Sequence, residues 1–201
     1  MQSGQGYNTI ADIFAQYRGV RVVVLGASGF IGRWVARMLC RCGADISLPV
    51  RDAGTAGAIF DRYEIEGDLI ETDLGCDPDA LETVYRRVRP AITFNLAGYG
   101  IDRTERDEET AFQVNEKLVR TLCRITASCR DRGWGRQAVV HAGSALEYGE
   151  IGGDLGEDSI PNPTTLYGRS KLAGTRALAS CCDKLGVNGI TARLFTVYGP
   201  G

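Results

Sequence analysis

Short runs dense in valine and isoleucine alternate along this chain with longer stretches in which apolar residues recur every three or four positions. The runs carry too few polar residues for strands with one wet face, so they predict strands buried on both sides of a parallel sheet, with helices crossing between them. Residues 20–25 are predicted as strand one, 30–42 as a helix, and 46–50 and 66–71 as strands two and three. Residues 78–88 follow as a helix, 91–96 as strand four, 107–131 as a long helix and 138–141 as strand five. A helix starting near Tyr167 runs to about 185, and 187–194 close as strand six. The stretch 149–165, bracketed by glycines and prolines, is predicted as one long loop. Six strands with crossover helices predict an α/β fold with a doubly wound parallel sheet, Rossmann-like and three-layered, whose ligands bind beyond the carboxyl ends of the strands. Residues 20–201 then form one domain, and 1–19 an N-terminal extension.

The segments after the strands carry the candidate chemistry. After strand one comes Gly26-Ala-Ser28-Gly29-Phe30-Ile31-Gly32, opening a helix. Glycines in a strand-to-helix turn allow a pyrophosphate to approach the backbone, and the helix N-terminus stabilises its charge. The spacing is Gly-x-x-Gly-x-x-Gly rather than the Gly-x-Gly-x-x-Gly of many dehydrogenases. At the end of strand two, where many NAD binders carry an acidic residue for the ribose 2′-hydroxyl, this chain has Val50 and then Arg51. A guanidinium can accept a 2′-phosphate bidentately, which favours NADP over NAD; the alternative is a solvated Arg51 paired with Asp52.

Farther along, Leu-Tyr167-Gly-Arg-Ser-Lys171 puts a phenol and an ammonium four positions apart at the start of a predicted helix, on one face of it. An ammonium beside a phenol favours the phenolate, as a tyrosine acid/base requires. Any half-buried tyrosine one turn from a surface lysine shares this spacing, so the pair needs the rest of the site to carry weight.

Composition narrows the partners. The chain has 201 residues, 23 basic and 25 acidic, with a net charge of -2, so it has no electrostatic footprint of a nucleic-acid or membrane-surface binder. A small molecule is the expected partner. The seven cysteines include no Cys-x-x-Cys pair and fall mostly in predicted helices, which suits reduced packing thiols in a cytoplasmic protein. His141 is the single histidine, so a multi-histidine metal site is not expected; packing at a strand end is its simplest role. No basic segment leading into an apolar core opens the chain, and no apolar run reaches the roughly 20 residues of a membrane span.

Taken together, GASGFIG at 26–32, Asp73-Leu74, NLAG at 95–98, Asn115, AGSALEYG at 142–149, EDSIPNPTTLYGRSK at 157–171 and ARLFTVYGPG at 192–201 resemble the extended short-chain dehydrogenase/reductase superfamily, in its NAD(P)-dependent nucleotide-sugar epimerase, dehydratase and ketoreductase group. The resemblance covers the chain from about residue 20 onward. It implies that Tyr167 is the acid/base, that Lys171 holds the nicotinamide ribose and lowers the tyrosine pKa, and that Ser144 bonds the reacting sugar oxygen. It implies that Gly26, Ser28, Gly29, Phe30, Ile31 and Gly32 hold the cofactor, with Arg51, Asp73, Leu74 and Asn115 contributing. It also implies that Asn95, Leu96, Ala97 and Gly98 line it.

Relatives of this kind that eliminate water carry Thr-Asp-Glu or Thr-Ser-Glu where this chain has Ser144-Ala145-Leu146, and Glu147 stands one position late, so dehydration is disfavoured. Hydride transfer at a nucleotide-sugar carbon, as a 4-epimerase or 4-ketoreductase, is the activity implied. Such relatives continue past the motif at 192–201 into a substrate lobe, which these residues lack; the alternative is a non-catalytic NADP-binding sensor or scaffold. They also pair as homodimers through two long helices, here 107–131 and 166–185, which carry Phe112, Leu118, Leu122, Leu172 and Leu178.

Overall fold

The computed structural model describes residues 10–73, 78–102, 104–131, 133–150 and 152–200. Its centre is a sheet of six parallel strands: β1 (Arg21–Leu25), β2 (Asp45–Val50), β3 (Asp68–Glu71), β4 (Ile92–Asn95), β5 (Val139–Ser144) and β6 (Gly189–Leu194). Their order across the sheet is β3-β2-β1-β4-β5-β6. The chain therefore winds outward from β1 in one direction and, after β3, returns to wind outward in the other. That reversal leaves a crevice between the carboxyl ends of β1 and β4, where the loops on either side turn away from each other.

Burial on both faces explains the continuous apolar strands. Val22, Val23, Val24 and Leu25 of β1 are wholly buried. Val22 and Val24 face a core shared with α2 (Phe30–Arg41) and α3 (Ala53–Tyr63), while Val23 and Leu25 face α4 (Pro78–Val88) and α6 (Leu118–Cys129). A third cluster joins α6 and β5 to α7 (Leu166–Leu185) through Val119, Cys123, Val139 and Leu178. The wholly buried Tyr85 of α4 places its hydroxyl 2.7 Å from Thr93 Oγ1, so a large ring enters the core with its polar end bonded.

Most predicted elements match, but three differ. No helix is predicted between strands two and three, where Ala53-Gly-Thr-Ala-Gly-Ala has a low helix propensity. The structure forms α3 there, and Asp52 starts it by accepting a hydrogen bond from the Thr55 amide at 2.9 Å. Strand five extends three residues past its predicted end, so Ser144 is its last residue rather than lying beyond it. The long helix is capped by Asp107 and is not uniform: α5 (Glu108–Phe112) passes through a π-helical turn at Gln113–Lys117 before α6. Within the extension, α1 (Ile10–Ala15) is helical and Tyr17 packs on the first core and 6.2 Å from the Trp134 ring.

Cys40, Cys42, Cys123, Cys129, Cys181 and Cys182 are free thiols. Among the described residues there is no group of three or more histidine, cysteine or acidic side chains that could hold a metal, and no helix is long and apolar enough to cross a membrane.

Candidate functional site

The turn after β1 is shaped by backbone contact. Gly26 has φ +75, a conformation L side chains rarely adopt, and a β-carbon there would sit 2.7 Å from the Ala97 amide nitrogen. Gly32, one turn into α2, has its α-carbon packed so closely on the Gly26 carbonyl that any side chain would collide with it. These close approaches bring the start of α2 down onto the sheet and leave the turn open to the crevice.

A cavity of about 720 Å³ occupies that crevice. Gly26, Ser28, Gly29, Arg51, Asp73, Leu96, Ala97 and Gly98 line it, so the structure gathers these sequence-predicted residues around one space. Tyr99, Glu105, Gln113 and Val114 complete the wall on the side of the π-helical turn. Leu74 lies outside the described residues. The Asp52 carboxylate is engaged by the amide and hydroxyl of Thr55, at 2.9 and 3.0 Å, so it acts as a helix cap rather than as the alternative partner of Arg51. Those two hydrogen bonds hold its carboxyl below the usual range.

Four predicted cofactor residues, Phe30, Ile31, Asn95 and Asn115, have side chains placed elsewhere. The side chains of Phe30 and Ile31 line a separate apolar cavity of about 620 Å³ between α2, α1 and the segment 197–200, leaving only their backbone at the helix start beside the turn. Asn95 does not line the crevice: it is fully buried, with its amide nitrogen 3.1 Å from His141 Nδ1. The register that pairs Asn95 with Leu25 on one side and His141 on the other sets it within the sheet, one residue short of the opening. His141 is likewise wholly buried, and burial, assisted by the charge of Lys171, pushes its pKa down to about 3. It packs within β5, paired with Asn95 on one side and Thr191 on the other, as a neutral imidazole rather than at the expected strand end.

Asn115 is fully buried and joins three elements. Its Oδ1 accepts from the Tyr99 amide at 3.1 Å, while its Nδ2 donates to the Tyr99 carbonyl at 2.8 Å and to Ser170 Oγ at 2.9 Å. Asn115 sits at the middle of the π-helical turn, which places it against both the loop after β4 and helix α7. The loop from Gly98 to Gly100 is thereby fastened between the cavity and α7.

On the α7 side of that loop stand the proposed chemical groups. Thr165 caps α7 by accepting from the Gly168 amide at 3.0 Å, so Tyr167 and Lys171 fall in its first two turns. A β-carbon at Gly100 would lie 3.3 Å from Tyr167 Cδ2, and one at Gly98 would lie 3.7 Å from Lys171 Nζ. Burial pushes the Tyr167 phenol up, the charges of Glu147 and Glu105 add to this, and only the Ser144 hydroxyl opposes them. Lys171 is 2 % exposed, and burial lowers its pKa to about 8 against the pull of Glu147.

Glu147 is the residue that sequence reasoning missed. It lies in the 3-10 turn Ala145–Glu147 and is wholly buried, whereas Leu146, one position earlier, is 48 % exposed. Its Oε1 accepts from the Ser144 amide at 2.8 Å and from Thr175 Oγ1 at 3.1 Å, and its Oε2 pairs with Arg193 Nε at 2.9 Å. The Ser-x-x-Glu spacing of a capping box was the available signal.

Known proteins place this architecture. The chain is 30% identical over 190 residues to dTDP-6-deoxy-L-talose 4-dehydrogenase (NAD(P)(+)) of Kitasatospora kifunensis, covering 90% of this chain and 54% of that protein. It is also 30% identical over 190 residues to an ADP-L-glycero-D-manno-heptose-6-epimerase of Alkalilimnicola ehrlichii, covering 89% of this chain and 53% of that one. The chain thus spans about half the length of the curated relatives it matches. In fold it is similar to the UDP-glucuronic acid 4-epimerase of Bacillus cereus solved in complex with NAD, with a TM-score of 0.75 at 21% identity, covering 90% of this chain and 57% of that one. Residues 22–201, from the second residue of β1 through the glycine turn, the Ser144 turn and the Tyr167 helix, match the NAD dependent epimerase/dehydratase family, and the chain belongs to it.

Proposed function

We propose that this chain is the cofactor-binding and proton-transfer half of an oxidoreductase acting on a nucleotide sugar, with hydride transfer at a sugar carbon in the manner of a 4-epimerase or 4-ketoreductase. The observation that carries the reading is that Tyr167 and Lys171 stand against Gly100 and Gly98 of one loop, whose residues Gly98 and Tyr99 line the glycine-turn cavity, with Ser144 the hydroxyl that acts on the Tyr167 phenol. The cradle at Gly26 and Gly32, open only because no side chain fills it, fits a dinucleotide pyrophosphate. The relatives named above act, by their names, on nucleotide-linked sugars.

A bound nicotinamide dinucleotide would supply the site that gives or takes the hydride. The protein's own residues handle the proton. Tyr167 gives its phenol proton to the sugar oxygen during reduction and is left as the phenolate, and as the phenolate it takes the hydroxyl proton during oxidation, while the Ser144 hydroxyl holds that oxygen. Lys171, buried beside Gly98, bonds the nicotinamide ribose. Dehydration is not part of this reading, because the position of an elimination acid is Leu146, and the Glu147 carboxylate is held inward by Arg193. The enzyme works in the cytoplasm.

Arg51, at the cavity wall with Asp52 engaged elsewhere, selects NADPH through its 2′-phosphate. Titration by nicotinamide fluorescence should give tighter binding of NADPH than NADH, and Arg51→Ala should weaken NADPH by about 1 to 3 kcal/mol while leaving NADH unchanged. Equal affinities in the wild type would rule out the selection.

The same reading includes a homodimer formed through α5, α6 and α7. Leu118, Leu122, Leu172 and Leu178 are buried within the subunit, so of the apolar residues expected to serve this contact only Phe112 is left partly exposed. Light scattering at micromolar concentration should give twice the chain mass, and a monomer mass would remove the dimer from the reading.

A further inference from the structure

Glu105 is a carboxylate on the wall of the glycine-turn cavity that the proton-transfer scheme above does not use. It belongs to the loop after β4, and its Oε2 reaches back along that loop to accept from the Gly100 amide at 2.7 Å and from the Asp102 amide at 3.4 Å. The turn between is closed by its own bonds. Asp102 Oδ1 accepts from the amide and hydroxyl of Thr104 at 2.8 and 2.7 Å, and the Glu105 amide donates to the Asp102 carbonyl at 3.0 Å. Gly100 has φ +102, and a β-carbon on it would meet Tyr167 Cδ2 at 3.3 Å, Tyr167 Cβ at 3.7 Å and the Glu105 carbonyl at 3.9 Å. The Gly100 peptide is therefore held between Tyr167 and Glu105.

That contact gives the cavity a direction. Arg51 and Asp73 line it just beyond the ends of β2 and β3. Gly98, beside Lys171, and Glu105, bonded to Gly100, line it on the side of α7. A dinucleotide whose 2′-phosphate faces Arg51 therefore has its nicotinamide toward Tyr167, on the side where Glu105 stands. The oxidised and reduced forms of that ring differ by one positive charge. A carboxylate fixed at that end, in a cleft where water screens it less than in bulk solution, favours the charged form.

We propose that Glu105 sets the oxidation state this site prefers: its carboxylate, fixed on the Gly100 amide at the Tyr167 end of the cavity, favours the oxidised pyridinium over the reduced ring. The inference rests on the reading of that cavity as the dinucleotide site. It bears on the choice within the proposed function, because a 4-epimerase begins by taking a hydride from the sugar and must hold the oxidised cofactor at rest. Glu105 makes and breaks no covalent bond in this role.

The test uses NADP+ and NADPH as probes and needs no sugar. Calorimetric titration with each, at one neutral pH and one salt concentration, gives two dissociation constants. Their ratio cancels a general change in the cavity and leaves the effect of the charge. Glu105→Gln, which keeps an oxygen for the Gly100 amide, should move the ratio toward NADPH by about threefold or more. Glu105→Asp keeps the charge on a shorter stem, so both affinities should fall while the ratio moves less than in Glu105→Gln. Glu105→Ala should move the ratio as Glu105→Gln does, and it carries the test if the glutamine variant does not fold. Glu109, a second carboxylate on the wall, belongs to α5, and Glu109→Gln should move the ratio less. A ratio unmoved in Glu105→Gln or Glu105→Ala, or moved as far by Glu105→Asp or Glu109→Gln, would overturn the proposal while leaving the dinucleotide reading intact. Wild-type protein that takes up neither cofactor would overturn that reading and the proposal with it.

Discussion

Tyr167→Phe should cut turnover of the nucleotide sugar by at least ~10²-fold while nicotinamide cofactor binding stays within experimental error of the wild type. The substitution removes one oxygen. The ring remains packed against Gly100, where a β-carbon would lie 3.3 Å from it, so the fold of the α7 start is kept. What is lost is the proton that burial and the carboxylates of Glu147 and Glu105 hold on the phenol at neutral pH. The measurement is a steady-state assay in the protein expressed with any residues that its reading frame adds after Gly201, beside a fluorescence titration with NADPH. A Tyr167→Phe protein that turns over at nearly the wild-type rate would show that the phenol only packs.

Lys171→Met should separate binding from stability in opposite directions. The ammonium is 2 % exposed and titrates at about 8 rather than 10.5, so the folded state holds a desolvated charge at pH 7. At 1.36 kcal/mol per pKa unit that charge costs about 3 kcal/mol, which an uncharged side chain of similar length recovers. The sign follows from the direction of the shift. A base whose folded pKa is depressed binds fewer protons folded than unfolded between about pH 8 and 10.5, so the wild type gains stability as pH rises through that window. The advantage of the methionine variant should therefore be largest at pH 7 and shrink toward pH 10. Cofactor affinity should fall at the same time, because the group assigned to the nicotinamide ribose is gone. Urea unfolding at the two pH values and a cofactor titration test both halves. A variant less stable than wild type at pH 7, with full cofactor affinity, would refute the assignment.

The chain order of elements was legible because it depends on local periodicity. A Val-rich run can only be a strand buried on both faces, and Gly26 and Gly32 permit contacts no other residue permits, so the glycine turn announces itself. Helix α3 was hidden because glycines lower its propensity, while what starts it is a single side-chain cap from Asp52 and what holds it is tertiary packing of Ala56, Phe60 and Tyr63. Phe30 and Ile31 show the converse. Their place in the motif suggested the cofactor, but helix geometry turns consecutive side chains about 100° apart, and both point into the apolar cavity instead.

By itself, the sequence determined that this protein is a doubly wound α/β domain with a dinucleotide turn, and that Tyr167 and Lys171 share one helix face, since both depend on spacing along a single element. The tertiary structure alone decided the electrostatics of the site. Whether a lysine raises or lowers its charge, whether a tyrosine keeps its proton, and whether a glutamate points to solvent or inward depend on desolvation and on charges brought from other elements. Glu147 is the clearest instance: a polar letter after Ser144-Ala-Leu, it becomes a buried anion only because Thr175 of α7 and Arg193 of β6 arrive beside it.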